Sequence, residues 1–228
     1  MKDEQEAQST KGLPRKFLFC ELQSQPNGTT ALKGSMFADQ RESLAMIAKH
    51  LPSEWALVVK ESDRQWTRMY PRRRNFWTHI AAIPKVHVIA STTNALQMLE
   101  QSSGLVETSY STLALQALQR GLPVIVLGHT HIGELLGVSS VRSDSEAAEA
   151  VRTVCSREGN RFDPVRTKES LELFLEKKLV STVEGALSYA PKLDTREELR
   201  AFQQRTVTNV SAVIVAWLHL RLTSPTSP

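Results

Sequence analysis

Hydroxyl-bearing residues stand between a predicted strand and a predicted helix in the stretch "ETSYSTLALQAL", residues 107–118. Ser109, Ser111 and Thr112 would lie at the amino terminus of that helix. Unpaired backbone N–H groups and the helix dipole attract an anion at such a terminus, and hydroxyl groups add further donors. Serine and threonine are also the usual N-caps of helices that bind nothing. The sequence therefore leaves two interpretations open, an anion-binding site and a plain helix cap.

Charged residues follow a second apolar run in "ALVVKESDR", residues 56–64. Four consecutive apolar residues ended by charges are typical of a strand buried on both faces of a parallel sheet. Ligands of open α/β sheets bind outside the carboxyl ends of the strands. Lys60 and Arg64 have the charge to neutralise a diphosphate or a phosphodiester, and Glu61 could orient a sugar or hold Lys60 in place. A solvated strand end without a ligand is the alternative.

Two histidines follow a later apolar run in "GHTH", residues 128–131. His129 and His131 are spaced i, i+2, so in an extended segment their imidazoles share a side and could ligate a metal. A protein metal site of this kind needs at least a third ligand, and none stands nearby in the sequence. We therefore predict no metal and no other cofactor. The histidines are interpreted as ordinary loop residues or as hydrogen-bonding partners of a ligand.

Arginines alternate with aromatic residues in "RQWTRMYPRRRNFW", residues 64–77. Proteins that bind single-stranded nucleic acid combine basic and aromatic side chains in this way. The run is short, however, and its arginines at 72–74 open a predicted helix whose apolar residues can face the core. We interpret the run mainly as a basic rim that attracts anionic substrates, and nucleic acid as the less favoured partner.

Five apolar runs predict the strands that would position these residues. They cover residues 17–22, 55–60, 86–90, 105–108 and 123–127. Helical spacing between and after them predicts helices over 40–50, with Asp39 as N-cap, and over 75–83, 91–101, 111–119 and 145–157. Alternating strands and helices imply parallel βαβ units with right-handed crossovers. The predicted fold class is therefore α/β, with a Rossmann-like parallel sheet of five or six strands.

The chain divides into four predicted regions. Residues 1–14 form a disordered leader, 15–160 the Rossmann-like domain, 161–222 a helical extension, and 223–228 a disordered tail. Within the extension, helical patterns cover about 168–189 and 195–222. The apolar run at 210–220 is too short to span a bilayer. It could expose an apolar face that needs a partner domain or a second copy of the chain.

Composition indicates an ordinary globular protein. The 228 residues are 41% hydrophobic and 23% charged, with a net charge of +4. That charge is far below the charge of a polybasic protein and fits an anionic small ligand or an anionic membrane surface. Cys20 and Cys155 are the only cysteines, so no disulfide framework exists and a reducing cytoplasm is expected. No signal peptide is visible; peripheral contact with the inner membrane stays open.

An ordered series of motifs resembles one glycosyltransferase family. It consists of "QSQPNGTT", "FADQ", "LPSEWALVVKES" and "ETSYSTLALQALQRGLPVIVLG" within residues 16–142. The series is similar to the capsule and surface polysaccharide biosynthesis glycosyltransferases, which include the bacterial β-Kdo transferases. The resemblance implies one half of a GT-B fold, the carboxy-terminal half that binds the nucleotide-sugar donor.

The resemblance also implies roles for individual residues. The Gln25–Pro26 and Thr29–Thr30 stretch would lie in the interdomain cleft, and Lys60–Glu61 would begin a Lys-Glu-His-Pro motif at the donor phosphate. The segment 110–112 would match a turn that cradles the phosphate, and Gly128 the glycine after the following strand. The complete set of expected substrate-binding residues is Gln25, Pro26, Thr29, Thr30, Lys60, Glu61, Ser62, Arg64, Ser109, Tyr110, Ser111, Thr112, Gln116, Gly128 and His129.

Three departures from the family pattern weaken the expected chemistry. Ser62 and Asp63 replace the His-Pro pair, so the imidazole expected at the donor phosphate is absent. Gln116 replaces a glutamate that commonly holds a ribose, and an amide binds hydroxyls more weakly than a carboxylate does. The amino-terminal acceptor domain of the family has no counterpart in the chain, so no catalytic residue is assigned.

The resemblance implies a glycosyltransferase-like protein of capsule or surface polysaccharide assembly. Its donor would be a nucleotide sugar, with CMP-Kdo the first candidate, and its acceptor a glycan or glycolipid. The alternative is a non-catalytic, degenerate transferase half that binds a sugar nucleotide or a partner. Both interpretations require the strand-end hydroxyls and helix amides to form one phosphate pocket.

Overall fold

The computed structural model describes residues 12–26, 30–31, 34–62, 65, 71–109, 111–157 and 160–174. The chain divides into two compact units, residues 1–172 and 173–228, and almost all described residues belong to the first. Residues 1–11 of the predicted leader, the helix predicted over 195–222 and the tail at 223–228 lie outside the described residues. The same is true of most of the helix predicted over 168–189.

Six parallel strands form a single sheet. They are β1 (Lys16–Glu21), β2 (Trp55–Lys60), β3 (Val86–Ile89), β4 (Leu105–Thr108), β5 (Val124–Leu127) and β6 (Val138–Val141). Their spatial order is β3-β2-β1-β4-β5-β6, and every neighbouring pair is parallel. The strand order reverses between β1 and β4, which makes that junction the switch point of the sheet. The predicted Rossmann-like sheet, one half of a GT-B fold, is confirmed.

Four helices connect successive strands and a fifth follows β6, and four of these five helices begin with a side-chain N-cap. They are α1 (Gln40–His50), α2 (Phe76–Ala81), α3 (Ala95–Gln101), α4 (Thr112–Gln119) and α5 (Asp144–Ser156), with a 3-10 turn at Ser35–Phe37 before α1. Side chains of Asp39, Asn94, Ser111 and Ser143 accept backbone N–H groups at the starts of α1, α3, α4 and α5. These oxygens satisfy donors that the first helical turn would leave unpaired.

The helices cover both faces of the sheet. Alternate residues of the central strands, among them Leu18, Leu57 and Val106, pack in one buried cluster with Ile47 of α1 and Val151 of α5. The intervening residues point to the opposite face because side chains alternate along a strand. On that side α3 contacts β1, and α4 contacts β4 and β5. Burial from both sides explains why β2, β4 and β5 are continuous apolar or buried runs.

Two elements differ from the sequence prediction. The sixth strand, β6, was not located because its sequence VSSV is only partly buried at the sheet edge and has no apolar run. A last helix begins at residue 164, four residues before the predicted start, and continues to 174 within the described part. Thr167 and Leu171 on that helix are buried. The predicted boundary at 160/161 is therefore followed by residues that still contribute to the core.

Cys20 and Cys155 are both buried and free. Burial raises the pKa of each thiol, that of Cys155 to about 12. Neither thiol is therefore a reactive thiolate at neutral pH. In the part of the chain with described coordinates, no helix is long and apolar enough to cross a membrane.

Candidate functional site

Four predicted segments of the site follow β1, β2, β4 and β5. Because the strands are all parallel, their carboxyl ends meet at one edge of the sheet. The four strands are consecutive neighbours in the order β2-β1-β4-β5, with the switch point in the middle. The fold thus brings the predicted segments to the edge where open α/β sheets bind their ligands.

Lys60 at the end of β2 is buried and already paired. Its ammonium group donates to Oε1 of Glu21 at 2.9 Å and to the Glu61 carbonyl at 3.1 Å. The side chain is 1% exposed, whereas that of Glu21 is 25% exposed. The pair lies in register on neighbouring strands, β1 and β2. Lys60 can therefore act on a ligand through its charge more readily than through a direct hydrogen bond.

Glu61 binds an arginine that the sequence had placed elsewhere. Both of its oxygens accept from Arg72, at 2.8 Å from Nε and 2.8 Å from Nη2. The two side chains are 2% and 7% exposed. A buried bidentate pair of this kind is mutually satisfied. Within the predicted basic rim, Arg72 is therefore engaged by the Glu61 carboxylate and is not available as a free cation.

A polar network ties the loop after β1 to this ion pair. Arg72 also donates to Oε1 of Gln25 and to the Gln23 carbonyl, both at 2.9 Å. Gln65 accepts from the Gln25 amide at 2.7 Å and donates to the Gln25 carbonyl at 2.9 Å. The peptide bond from Gln25 to Pro26 is cis. The network fixes the Gln25–Pro26 stretch beside the edge where the sequence placed substrates.

A cavity of about 520 Å³ opens next to this loop. Its lining includes Gln25, Pro26, Arg41, Arg72, Arg73 and Phe76. Arg41 is paired with Asp39, which lowers the pKa of that carboxyl through hydrogen bonds to the guanidinium. Arg73 is exposed. Two of the three guanidinium groups at the cavity, those of Arg41 and Arg72, are thus already paired with carboxylates, and Asp39 also lines the cavity.

The end of β4 contains a buried carboxyl group that the sequence analysis did not single out. Glu107 is 1% exposed, and its Oε1 accepts the hydroxyl of Ser111 at 2.5 Å. Ser111 is also the N-cap of α4, accepting the amides of Leu113 at 2.9 Å and Ala114 at 3.4 Å. The single hydrogen of the Ser111 hydroxyl is therefore committed to Glu107. The predicted role of Ser111 as a donor to a ligand phosphate would require this bond to open.

Among the residues that the structure describes, three buried side-chain oxygens have no hydrogen-bond partner. They are Oγ1 of Thr30, Oε2 of Glu107 and Oγ of Ser109. Each residue is 1% exposed. Native proteins pair almost all buried polar atoms, because an unpaired one keeps the full penalty of leaving water. Glu107 and Ser109 stand at the carboxyl end of β4, which borders the switch point, and Thr30 lies in the segment between β1 and α1.

Burial raises the pKa of Glu107 to about 8. Loss of water around the carboxylate is the main cause, opposed by the hydrogen bond from Ser111 and reinforced by the negative charge of Glu21. Glu107 is therefore mostly neutral at pH 7. One local signal marks Glu107, a charged residue directly after two apolar residues of a predicted strand, but its neutral state follows only from its surroundings.

The remaining predicted residues lie at the same edge with varied exposure. Ser109 has φ of 69°, a left-handed conformation that re-aims the chain between β4 and α4. Thr112 and His129 are exposed, while Ser62 and Gln116 are half-buried. Gly128 is buried with φ of 89°, and its amide donates to the Val141 carbonyl at 2.8 Å. Three predicted residues, Thr29, Arg64 and Tyr110, lie outside the described residues.

Sequence reasoning missed the residues that satisfy or oppose its candidates. Glu21, Gln65, Arg72 and Glu107 each contact or influence a predicted site residue. Arg72 is eleven residues from Glu61, so no local spacing rule links them. Among the described residues, no group of three or more His, Cys, Asp or Glu side chains could hold a metal ion.

Solved structures share the fold at low sequence identity. UDP-GlcNAc 2-epimerase from Methanocaldococcus jannaschii matches with a TM-score of 0.50 and 14% identity, covering 72% of this chain and 46% of the epimerase. The glycotransferase of kitacinnamycin matches with a TM-score of 0.43 and 14% identity, covering 90% and 45% of the two chains. AviGT4, a glycosyltransferase involved in avilamycin A biosynthesis, matches with a TM-score of 0.41 and 14% identity, covering 76% of this chain and 49% of AviGT4. The chain thus spans about half the length of these structures.

The family is shown by the sequence itself. No curated protein sequence matches the chain significantly. The profile described as capsule polysaccharide biosynthesis protein, in contrast, matches residues 15–154. That match covers more than half of the chain and all six strands of the sheet. The chain belongs to the capsule polysaccharide biosynthesis protein family.

Proposed function

We propose that this chain is the donor-binding half of a glycosyltransferase-like protein of capsule or surface polysaccharide biosynthesis. A nucleotide sugar would bind at the carboxyl ends of β1, β4 and β5. The observation that carries the proposal is the presence of unpartnered buried oxygens on Glu107 and Ser109 at the carboxyl end of β4, with a third on Thr30 in the segment that follows β1. A ligand with phosphate and sugar oxygens would satisfy them. Family membership supports glycosyl transfer as the reaction class.

The phosphate of the donor would lie at the start of α4. Hydroxyls of Ser109 and Thr112 and the positive end of the helix dipole would stabilise it there. Tyr110 and Gln116 would contact the nucleotide, as the family resemblance implies. Glycosyl transfer releases the nucleotide, so groups that stabilise negative charge on the departing phosphate also lower the barrier. CMP-Kdo is the first candidate donor on the same resemblance.

The β2 end would contribute mainly long-range charge. Lys60 is held by Glu21 and Glu61 is neutralised by Arg72, so neither offers a free group in this state. Ser62 and Arg64 remain proposed contacts, together with His129 after β5. Arg73 and Arg41 around the cavity beside Gln25 would attract the anionic donor toward the edge of the sheet.

The acceptor would be a glycan or glycolipid bound largely by another domain. The structural neighbours are about twice the length that this chain matches, with 46% of the epimerase covered. We propose that an additional domain, a partner chain or a second copy, engaged through the carboxy-terminal helices, supplies the acceptor side. A cytoplasmic location, with peripheral contact at the inner membrane, fits the two free cysteines.

Calorimetric titration with CMP, UDP and cytidine tests the donor site. Binding of a nucleotide, much stronger than binding of cytidine, is expected because the phosphate provides the main contact. A Ser109→Ala/Thr112→Ala double variant should weaken binding by at least about tenfold, the equivalent of about 1.4 kcal/mol. Arg152→Ala, an exposed change in α5 next to the amino-terminal ends of β1 and β2, should not. Equal binding by both variants would contradict a site at the start of α4.

A non-catalytic module is the second candidate function. The observation in its favour is the β2 end, where the motif residues Lys60 and Glu61 are engaged in internal ion pairs. Incubation with CMP-Kdo and a lipid-linked glycan, followed by measurement of released CMP, separates the two functions. Release above the spontaneous rate supports the enzyme. Binding of the nucleotide without any release of CMP, even with a separate acceptor-side domain added, favours the module.

A further inference from the structure

We propose that the carboxyl group of Glu107 acts as a hydrogen-bond donor to the phosphate of the bound nucleotide, in a subsite shared with the hydroxyl of Ser109. This inference rests on the proposed function and makes it more specific. Residue 107 was not among the candidates that the sequence or the family resemblance indicated.

The side chain of Glu107 has one engaged oxygen and one open oxygen. Ser111 donates its only hydroxyl hydrogen to Oε1 at 2.5 Å, and the same hydroxyl oxygen accepts two amides of α4. Oε1 is therefore an acceptor, and a proton on the carboxyl group must be on Oε2. Oε2 is buried and has no partner. A neutral Glu107 thus presents an unused O–H donor next to the start of a helix.

Ser109 offers a second unused donor two residues further along the chain. Its hydroxyl is buried and unpartnered, and its amide is tied to the Leu127 carbonyl at 2.9 Å. Two buried donors without acceptors each retain the free-energy penalty of leaving water. A phosphate group has the oxygens to accept from both, whereas an apolar ligand would leave both unsatisfied.

Charges around Glu107 favour its neutral form. Glu21 on β1 repels a negative charge at Glu107, and Lys60 on β2 is paired with Glu21. Neither β5 (VIVL) nor α4 (TLALQALQ) contains a charged residue. The Ser111 hydroxyl and the start of α4 favour the charged form, but burial outweighs them and raises the pKa to about 8. Ionised Glu107 would have no proton to donate and would repel a phosphate.

The chemistry makes nucleotide binding depend on a single proton. Phosphate binding and loss of that proton exclude one another, so affinity must fall as Glu107 ionises. A ligand hydroxyl in the same place would behave in the opposite way, because an ionised carboxylate is the better acceptor for it. The pH dependence of affinity therefore distinguishes a phosphate from a sugar hydroxyl at Oε2.

Calorimetric titration with CMP from about pH 7 to about pH 9.5 tests the inference. For the wild-type chain we expect affinity to fall by up to about tenfold per pH unit above pH 8. Glu107→Gln retains an N–H donor and cannot ionise, so its affinity for CMP should stay at its pH 7 value up to pH 9.5. Arg152→Ala should follow the wild-type profile. Thermal unfolding of each variant confirms that it is folded at each pH.

The outcomes separate this inference from the proposed function. Parallel profiles for wild type and Glu107→Gln would overturn the role of Glu107 while leaving nucleotide binding intact. An affinity that rises with pH in the wild type alone would overturn phosphate as the occupant and indicate a hydroxyl. Failure of CMP, UDP and cytidine to bind at any pH would overturn both the proposed function and the subsite.

Discussion

Two buried glutamates at the same edge of the sheet are treated in opposite ways. Glu61 after β2 is 2% exposed and Glu107 in β4 is 1% exposed. The Glu61 carboxylate is neutralised by a bidentate contact with Arg72, which leaves no free oxygen. Oε1 of Glu107 accepts a hydrogen bond from the Ser111 hydroxyl, and Oε2 has no partner. The side chain of Glu107 is mostly neutral at pH 7.

This difference shows which strand end still has unpaired hydrogen-bonding groups available to a ligand. A saturated ion pair stabilises the loop that it joins but offers nothing to a substrate. An unpartnered carboxyl oxygen and an unpartnered hydroxyl at the same strand end keep hydrogen-bonding capacity that a ligand can use. The motif positions at the end of β2 are therefore the structural half of the edge, and the β4 end is the proposed binding half.

The largest expected effect comes from breaking the ion pair of the β2 end. Arg72→Met should lower the free energy of unfolding by about 3–5 kcal/mol, because Glu61 stays buried without its counter-charge. Urea denaturation measures the loss. The exposed neighbour change Arg73→Met should stay within about 0.5 kcal/mol of wild type. If the two variants are equally stable, Glu61 is not the saturated residue described above.

The second effect concerns the neutral glutamate of the β4 end. In the folded chain the pKa of Glu107 is raised from 4.5 to about 8, so the folded state binds this proton more tightly than the unfolded state. Its contribution to stability is therefore complete below about pH 4.5 and is lost as pH rises toward 8. Wild type loses at most about 1.4 kcal/mol of unfolding free energy per pH unit in this way. Glu107→Gln cannot ionise and should not show this loss.

Urea denaturation of Glu107→Gln across that pH window provides the measurement. At pH 7 the variant should be more stable than wild type by about 1–3 kcal/mol, and the advantage should shrink as pH falls. The exposed change Glu134→Gln should show no such trend. A constant difference at all pH values would mean that Glu107 is ionised in the folded chain.

A third, smaller effect tests the Ser111 hydroxyl, which contacts both Glu107 and the first amides of α4. Ser111→Ala removes the N-cap of α4 and the partner of Glu107, and should cost about 1–2 kcal/mol. Thr112→Ala, one residue later and exposed, should change stability by less than about 0.5 kcal/mol. Thermal unfolding at fixed pH compares them. Equal effects would show that Ser111 is not committed to internal contacts.

The smallest expected effect has the opposite sign from an ordinary core mutation. Ser109→Ala removes an unpartnered buried hydroxyl, so stability should be unchanged or higher by up to about 1 kcal/mol. Ser43→Ala is the matched control, since the buried Ser43 hydroxyl lies 3.0 Å from both the Phe37 and Asp39 carbonyls. That variant should lose about 1 kcal/mol. A comparable loss in Ser109→Ala would show that its hydroxyl has an internal partner.

Much of the fold followed from local patterns. The bounds predicted for β2, β4 and α1 match the structure, and Asp39 and Ser111 cap the helices expected of them. These elements have strong local signals, namely buried apolar runs and polar N-caps. The strand β6 lacks such a signal because its edge position needs little apolar surface. Helix α2 likewise starts at Phe76 without a side-chain cap.

The sequence by itself determined the alternation of strands and helices, and with it the single edge at which the candidate residues meet. Only the tertiary structure decided which of those residues are already engaged in ion pairs or hydrogen bonds within the protein. Arg72 reaches Glu61, and Glu21 reaches Lys60 across 39 positions, through contacts that no local pattern encodes. The ionisation of Glu107 was decided in the same way, because a pKa depends on the water and charge around a group and not on its neighbours in the chain.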